Sequence, residues 1–384
     1  MTSTSSGFQP AAVMEKRTAA MSSSKLMELP YEILLLIFSK LPARSILQFQ
    51  CVSKSSRNLV NNPALAAMHM AATNEHIDVE VRSLPFSYKN HLRFVSCGLL
   101  GFKYFGQVDG KLGLYNPLRR EYLWLPQPEY IHDMFSERYG MGFDSVTNSH
   151  KIVHFLSRGF PERPNRWVAR VHVLGTGSWR RIPLCSFTTV EVGNAYAYGE
   201  MHWLVDGNQI MSFNFREEEF RWTINPPPVT FRSSFARHFL INLRGSLALV
   251  DVVYSEKKVE IWMYKEQKYW TKDYCMPLDC CSGGYSNFAV GAWEHGIYII
   301  IYEDYCIDQS LKYPTVVYYD LRCDNKKEHC RYQEQLHLFS STGSLISLKQ
   351  YDNVRTNSEK NFFDAGECDF PECVSELLKA PRVK

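Results

Sequence analysis

Five times the chain writes an apolar strand carrying an aromatic residue or Val, then a polar turn, then an aromatic or apolar residue, often followed by Pro. The copies are LGLYNPLRREYLWLP, VHVLGTGSWRRIP, IMSFNFREEEFRWTINPP, VEIWMYKEQKYWTKDYCMP and a weaker VVYYDLRCDNKKEHCRY. Measured at Tyr115, Val173, Phe213, Trp262 and Tyr319, the steps are 58, 40, 49 and 57 residues. A period of roughly 40–50 residues, each holding several strands, points to a β-propeller. The reason is physical: one four-stranded sheet cannot cover both of its faces, whereas blades stacked around an axis bury each other. Five copies, with end strands completing further sheets, predict five to seven blades. A pair of β-sandwiches is the structural alternative.

The surrounding texture agrees. From about Leu84 to Leu348 the sequence is short apolar or alternating runs cut by Gly, Pro, Asn and Asp, an all-β pattern. Strands are predicted at 151–156, 168–174, 246–254, 259–264, 289–292, 297–302 and 315–320. Asp109-Gly110 and Asp206-Gly207 sit between such runs and suit type I′ hairpin turns, whose central residues both need positive φ. The six tryptophans Trp124, Trp179, Trp203, Trp222, Trp262 and Trp270 fall at spacings that place them in blade cores.

The N-terminal part is different. In LPYEILLLIFSKLPARSILQFQCVSKSSRNLVNNP, Pro30 suits a first helical position and Glu32 the first turn. A helix runs to about Lys40, a second spans Ala43 to Gln50, and Ser53 caps a third that runs to about Asn61. Ile33 to Phe38 are six apolar residues in a row, covering more of the helix than one stripe. One arc packs on Leu47, Val52 and Leu59. The other, with Leu29, Pro30 and Leu41 at its ends, is left for a partner or for a larger core of the same chain.

The order Leu-Pro-x-Glu-Ile-Leu, Ile-Phe-Ser-Lys-Leu-Pro, Ser-Ile-Leu, Cys-Val-Ser-Lys-Ser and Arg, over Met27 to Ala66, resembles an F-box. The resemblance implies docking on the Skp-family adaptor of a cullin–RING ubiquitin ligase. The matching interface positions are Leu29, Pro30, Ile33, Leu34, Ile37, Phe38, Leu41, Pro42, Leu47, Cys51 and Val52. Ser56 stands where many family members carry Trp. NPLRREYLWLP, TGSWRRI, GEMHWL, SFNFREEEF and VEIWMYKEQKYWTK, in that order over about Leu92 to Leu348, resemble the F-box-associated domain of plant F-box proteins. The likeness to kelch repeats is looser, because only Gly283-Gly284 offers their double glycine. The fold class expected is therefore α+β multidomain: a small three-helix F-box, then an all-β domain, a kelch-like β-propeller. The segments are a disordered tail at 1–24, the F-box at 25–66, a helical linker at 67–85, the β domain at 86–350 and a C-terminal tail at 351–384, with a closing helical turn at 374–379.

Composition narrows the function. With 43 basic and 40 acidic residues the net charge is +3, and the basic pairs are scattered, so no nucleic acid is implied. No apolar run approaches the roughly 18–20 residues of a membrane span, so no membrane partner is expected. Residues 2–24 are rich in Ser, Thr and Ala without a signal peptide's apolar core; a transit peptide is the alternative to a disordered tail. Eleven cysteines, an odd number, and no Asn-x-Ser/Thr sequon favour a reducing cytoplasmic or nuclear setting with free thiols.

No catalytic set, metal site or cofactor is expected. Cys323 and Cys330, with His329, lack the spacing of a structural zinc site and read as loop thiols. Glu217-Glu218-Glu219 reads as a solvated hairpin turn. Glu266 and Asp273 lie near Trp270 without pairing as acid and base. His154, His172, His202 and His238 fall on strands as satisfied or half-exposed side chains. The substrate-binding candidates are Arg163, Arg166 and Trp167 in the Pro-rich loop FPERPNRW, because Arg and Trp dominate binding hot spots. The function expected is that of a non-catalytic adaptor. The F-box holds the ligase and the β domain captures an unknown protein substrate, raising its effective concentration at the ubiquitin-loaded enzyme. Two rivals predict something else at the propeller mouth. A small-ligand or sugar sensor needs a concave aromatic pocket there, and an F-box-tethered enzyme needs converging titratable groups.

Overall fold

The computed structural model describes residues 29–73, 80–85, 90–104, 111–128, 134–158, 166–207, 209–227, 236–278, 286–293, 296–303, 315–322, 326–331, 336–341 and 343–354. The chain divides into two compact units at Ala72–Thr73. The tail at 1–24, the predicted turn at Asp109-Gly110 and the predicted helix at 374–379 lie outside the described residues.

The first unit holds α1 (Tyr31–Ser39), α2 (Ala43–Phe49), α3 (Lys54–Val60) and α4 (Pro63–Thr73). Pro30 is the residue before α1, with ψ 142°, rather than its first helical residue. Its carbonyl still accepts from the Ile33 and Leu34 amides. Ser53 caps α3 as expected, its hydroxyl accepting from Ser56 N at 3.0 Å. Of the helical linker expected at 67–85, residues 67–73 are helical and 74–79 lie outside the described residues. Residues 80–85 form a strand, β1, because they find a partner strand at the far end of the chain.

The second unit is a five-bladed β-propeller. Its blades are antiparallel four-stranded sheets: β2 (Asn90–Ser96) to β5 (Glu121–Trp124), β6 (Met134–Asp144) to β9 (Arg180–Ile182), β10 (Val190–Ala197) to β13 (Glu219–Ile224), β14 (Ala236–Leu243) to β17 (Tyr269–Pro277) and β18 (Ser286–Trp293) to β21 (Lys326–Arg331). The first strands of successive blades are neighbours around the axis. The sequence copies coincide with the third strands: β4 (Lys111–Asn116), β8 (Arg166–Val173), β12 (Gln209–Asn214), β16 (Lys258–Lys265) and β20 (Thr315–Asp320). The loop expected at CDNKKEHC is partly strand, since β21 takes in Cys330. A sixth, two-stranded sheet pairs β1 (Glu80–Pro85) with β22 (Leu336–Ser341), and β22 lies beside both β18 and β2. The ring therefore closes between the first and last strands of the unit.

Polar turns of the repeat have a common device. Asn116, Asn214 and Asp320 end their strands, and each side-chain oxygen accepts from a backbone amide two residues on. Such Asx turns fix the direction of the fourth strand. At the Asp206-Gly207 hairpin both residues have positive φ (49° and 71°), as the dipeptide predicts. Asp206 does more than turn: its carboxylate also accepts from the amides of Thr188 and Thr189, at 2.8 Å each.

Among the described residues no backbone ladder joins one blade to the next, so side chains must hold them. Gly140 and Gly142 of β6 let Trp203 and Phe215 of the next blade lie against the backbone. A Cβ would fall 2.8 Å from Trp203 and 2.2 Å from Phe215. Phe155, Trp203, Phe213 and Phe215, all at 0% exposure, centre one interblade core; Ile261, Ile299 and Val317 centre another. Side-chain amides stitch the inner strands: Asn194 Nδ2 donates to Tyr139 O at 3.0 Å and Asn242 Nδ2 to Tyr196 O at 2.7 Å. Lys151, buried in β7 (Ser149–Arg158), donates to Asp144 at 2.9 Å and, across the interface, to Phe215 O at 2.9 Å and Glu218 at 2.8 Å. Glu218 also pairs with Arg180, so the middle of the triple-Glu turn is an interblade contact rather than a solvated residue.

Removing the Lys151 ammonium would take a buried counter-ion from both Asp144 and Glu218. Lys151→Met is expected to destabilise the propeller by about 3–5 kcal/mol, the usual consequence of breaking a buried pair from one side. The urea midpoint reads the change.

Candidate functional site: the exposed face of the first helix

The helix α1 is apolar on two sides. Leu34, Leu35 and Phe38 face inward at 3, 9 and 2% exposure, and Ile46, Leu47, Leu59 and Leu65 of the following helices are buried as well. Phe38 packs on Phe49 with ring centroids 4.8 Å apart. Outward, Leu29, Ile33, Leu36, Ile37 and Leu41 stand 37 to 51% exposed, and Val52, following α2, is 55% exposed. Residues 29, 33, 37 and 41 recur every four positions, one stripe along the helix. Val52 thus lies outside the core it was expected to join; Leu47 and Leu59 are in it. Pro30, Pro42 and Cys51 are also exposed.

The bends at the two ends of α1 are fixed locally. His69 Nε2 lies 2.9 Å from Leu41 O, tying α4 to the end of α1, and burial lowers its pKa against that bond. Ser56 is fully buried beneath its bonds to Ser53. Position 56, where the F-box resemblance leads one to expect Trp, therefore faces inward here.

In the second unit, Arg163 lies outside the described residues and Arg166 opens β8. Trp167 belongs to blade packing. Its ring meets Phe155 at 5.7 Å and Phe187 at 5.0 Å, and Nε1 donates to Thr188 O at 3.3 Å. Of the other tryptophans, Trp203 is wholly buried, Trp124, Trp179, Trp262 and Trp270 are half-buried, and Trp222 is 46% exposed on an outer strand. Trp222 was expected in the core, but an outermost strand has no further strand to cover it.

The titratable groups that sequence reading missed gather between blades 1 and 2. Glu137 accepts from Lys103 at 3.0 and 3.1 Å and from the Tyr139 hydroxyl at 2.9 Å, with Arg93 at 3.2 Å and His154 Nε2 at 3.7 Å. Burial pushes this carboxyl up, but His154, Lys103 and Arg93 outweigh it and hold it at about 2. Burial holds His154 and His172 below the ordinary imidazole range, and His154 stacks on Tyr139 at 4.4 Å. Glu137 is thus a saturated anion with a weak affinity for protons, which suits an interblade tie and not a general base. In blade 4, burial and Arg237 press His238 down to about 4, while burial and Glu260 raise Asp251 to about 6. Their closest atoms are 3.5 Å apart. Among the described residues, no group of three His, Cys, Asp or Glu is placed to hold a metal, and no helix is long and apolar enough to cross a membrane.

The sequence profile of the F-box associated beta propeller domain matches residues 34–344, most of the chain. The chain belongs to that family. It is a plant F-box protein with an associated propeller. Three Arabidopsis thaliana relatives illustrate the distance. An F-box protein is 23% identical over 303 residues, covering 66% of this chain and 73% of its own. F-box protein CPR1 is 26% identical, covering 64% and 72%. F-box/WD-40 repeat-containing protein 1 is 23% identical, covering 66% and 70%. In this F-box protein, then, the exposed stripe of α1 lies within the F-box motif.

His150 of β7 gives the propeller an acid sensitivity. It is buried, neither ring nitrogen has a hydrogen-bond partner, and burial alone holds its pKa at about 4. The unfolded chain takes up this proton below the ordinary value of 6.5, the folded one only near 4. Stability attributable to His150 is therefore complete above pH 6.5 and falls as pH drops toward 4, by on the order of 3 kcal/mol. Urea titrations across that window should show His150→Phe losing less stability on acidification than the parent chain.

Proposed function

We propose that this F-box protein is the substrate-recognition subunit of a Skp–cullin–F-box ubiquitin ligase and does no chemistry of its own. The observation that carries the proposal is the exposed apolar stripe of α1 within an F-box motif. Leu29, Ile33, Ile37, Leu41 and Val52, with Pro30, Pro42 and Cys51, supply the surface for a Skp-family adaptor. Leu34, Phe38 and Leu47 lie beneath it and hold its shape. The reading places the protein in the cytoplasm, the nucleus or both, where such ligases work.

Topology favours one end of the propeller for the substrate. Connections alternate between two ends. At one they run from two residues, between Ser96 and Leu99, to six, between Val173 and Arg180. At the other they run from three, between Val205 and Gln209, to eleven, between Ile224 and Ala236. β1 begins and β22 finishes at the short-connection end. Long loops on a rigid scaffold are where recognition concentrates. The connection holding Arg163 belongs to this end, and Arg166 starts the strand after it.

The deciding experiment is binding to a purified Skp-family adaptor. Leu29→Ala with Ile37→Asp changes two exposed residues, so the unit keeps its core. Losing two interface anchors should weaken binding on the order of a thousandfold. An intact chain that fails to bind would sink the adaptor reading. For the capture surface, Arg163→Glu with Arg166→Glu should abolish ubiquitination of a captured substrate and leave adaptor binding alone. Unchanged ubiquitination would move the contact to another long loop.

A further inference from the structure

Beyond its last strand the chain is gripped by blade 1. The Asn116 amide donates to Ser344 O at 3.0 Å and Ile346 O at 2.7 Å, while its own oxygen accepts from the Leu118 and Arg119 amides and so fixes its orientation. Arg119 Nε donates to Leu345 O at 2.8 Å. Glu121 accepts from the Ser347 hydroxyl at 2.9 Å and the Leu348 amide at 2.8 Å. Leu345, Ile346 and Leu348 are buried to 3, 4 and 0% exposure. The approach is close: a Cβ on Gly98, in the turn between β2 and β3 (Leu99–Tyr104), would sit 2.3 Å from Gly343 O. Farther on, Tyr351 lies over Gly175 of blade 2.

Residues 344–348 belong to no strand, yet three consecutive carbonyls and one amide are each met by a side chain of a single turn. Reading of main-chain atoms, with apolar side chains buried between, is how a groove holds an extended peptide. We propose that the β4–β5 turn of blade 1 is a peptide-binding site, that Ser344–Leu348 is its resident ligand, and that this segment is a detachable latch on the ring. The ligand class is an extended apolar peptide with a serine one residue before its last apolar anchor. The serine is the vulnerable point, because its hydroxyl donates to the Glu121 carboxylate. A negative charge there meets a like charge. The latch matters to the ring because β22 otherwise closes it through one two-stranded sheet. In cis the segment enjoys a millimolar-range effective concentration, so a free peptide competes only when the tether is weakened.

Two measurements on the full-length chain test this. Hydrogen exchange compares the parent with Glu121→Ala. Exchange at 343–354 and in β22 should quicken at least tenfold while blades 3 and 4 keep their protection. Uniform loss across all blades would make the segment ordinary core, and unchanged protection at 343–354 would remove the grip; either overturns the proposal. The second uses a fluorescent synthetic peptide of sequence GSLISLKQYDNV. The parent chain should leave it free, Ser347→Asp should bind it saturably, and Glu121→Ala added to Ser347→Asp should abolish that binding. A Ser347→Asp chain with unprotected 343–354 amides that still ignores the peptide would also overturn the proposal.

Discussion

An antiparallel sheet of four strands satisfies its own backbone and leaves two apolar faces open. Everything in the second unit answers that constraint. Each blade can be dry only if its neighbours are present, so five blades cohere through side chains and not through ladders. Gly140 and Gly142 show the consequence at atomic scale: the backbone of one blade is bare where the aromatic rings of the next must lie. The same logic explains why ionic groups are tolerated at interblade positions. Lys151 donates to partners from both blades, and Glu137 gathers donors from both, so each charge doubles as a tie. A buried pair is a weak source of net stability, but it penalises any arrangement in which the two blades separate.

The helical unit obeys the opposite rule. Its core is small, and α1 is too apolar for it. Half of the six-residue apolar run is consumed inside by Leu34, Leu35 and Phe38. The rest stays in water, an exposed apolar surface of the kind that marks an interaction site. Ser56 marks where the two roles separate: it is fully buried and belongs to the inner packing, not to the stripe.

Much of this was legible in the sequence, and the remainder was hidden for physical reasons. The five third strands could be placed because each runs into a polar turn followed by an aromatic or apolar residue, a local pattern fixed by Asx turns such as those of Asn116 and Asn214. Strand β1 was missed because nothing local distinguishes residues 80–85 from a linker. Its identity depends on a partner some 250 residues away, and pairing at that distance leaves no periodic trace. Val52 was misplaced for a related reason: an apolar residue next to a small core looks the same in sequence whether it faces in or out. The ionic cluster around Glu137 was invisible because Arg93, Lys103, Glu137 and His154 are spread over four strands of two blades and meet only in the folded ring.

Entry at β1 and exit after β22 fall at one end of the propeller, where connections are short and blade 1 grips residues 344–348. The longest connections between strands lie at the other end. A ring built this way can vary its long loops without touching its closure, since closure is written in Asn116, Arg119, Glu121 and the main chain of 344–348. Recognition and integrity are therefore separable properties of this fold. On the proposed reading, a change in the long connections alters what is held, and a change at the gripped segment alters whether the ring holds.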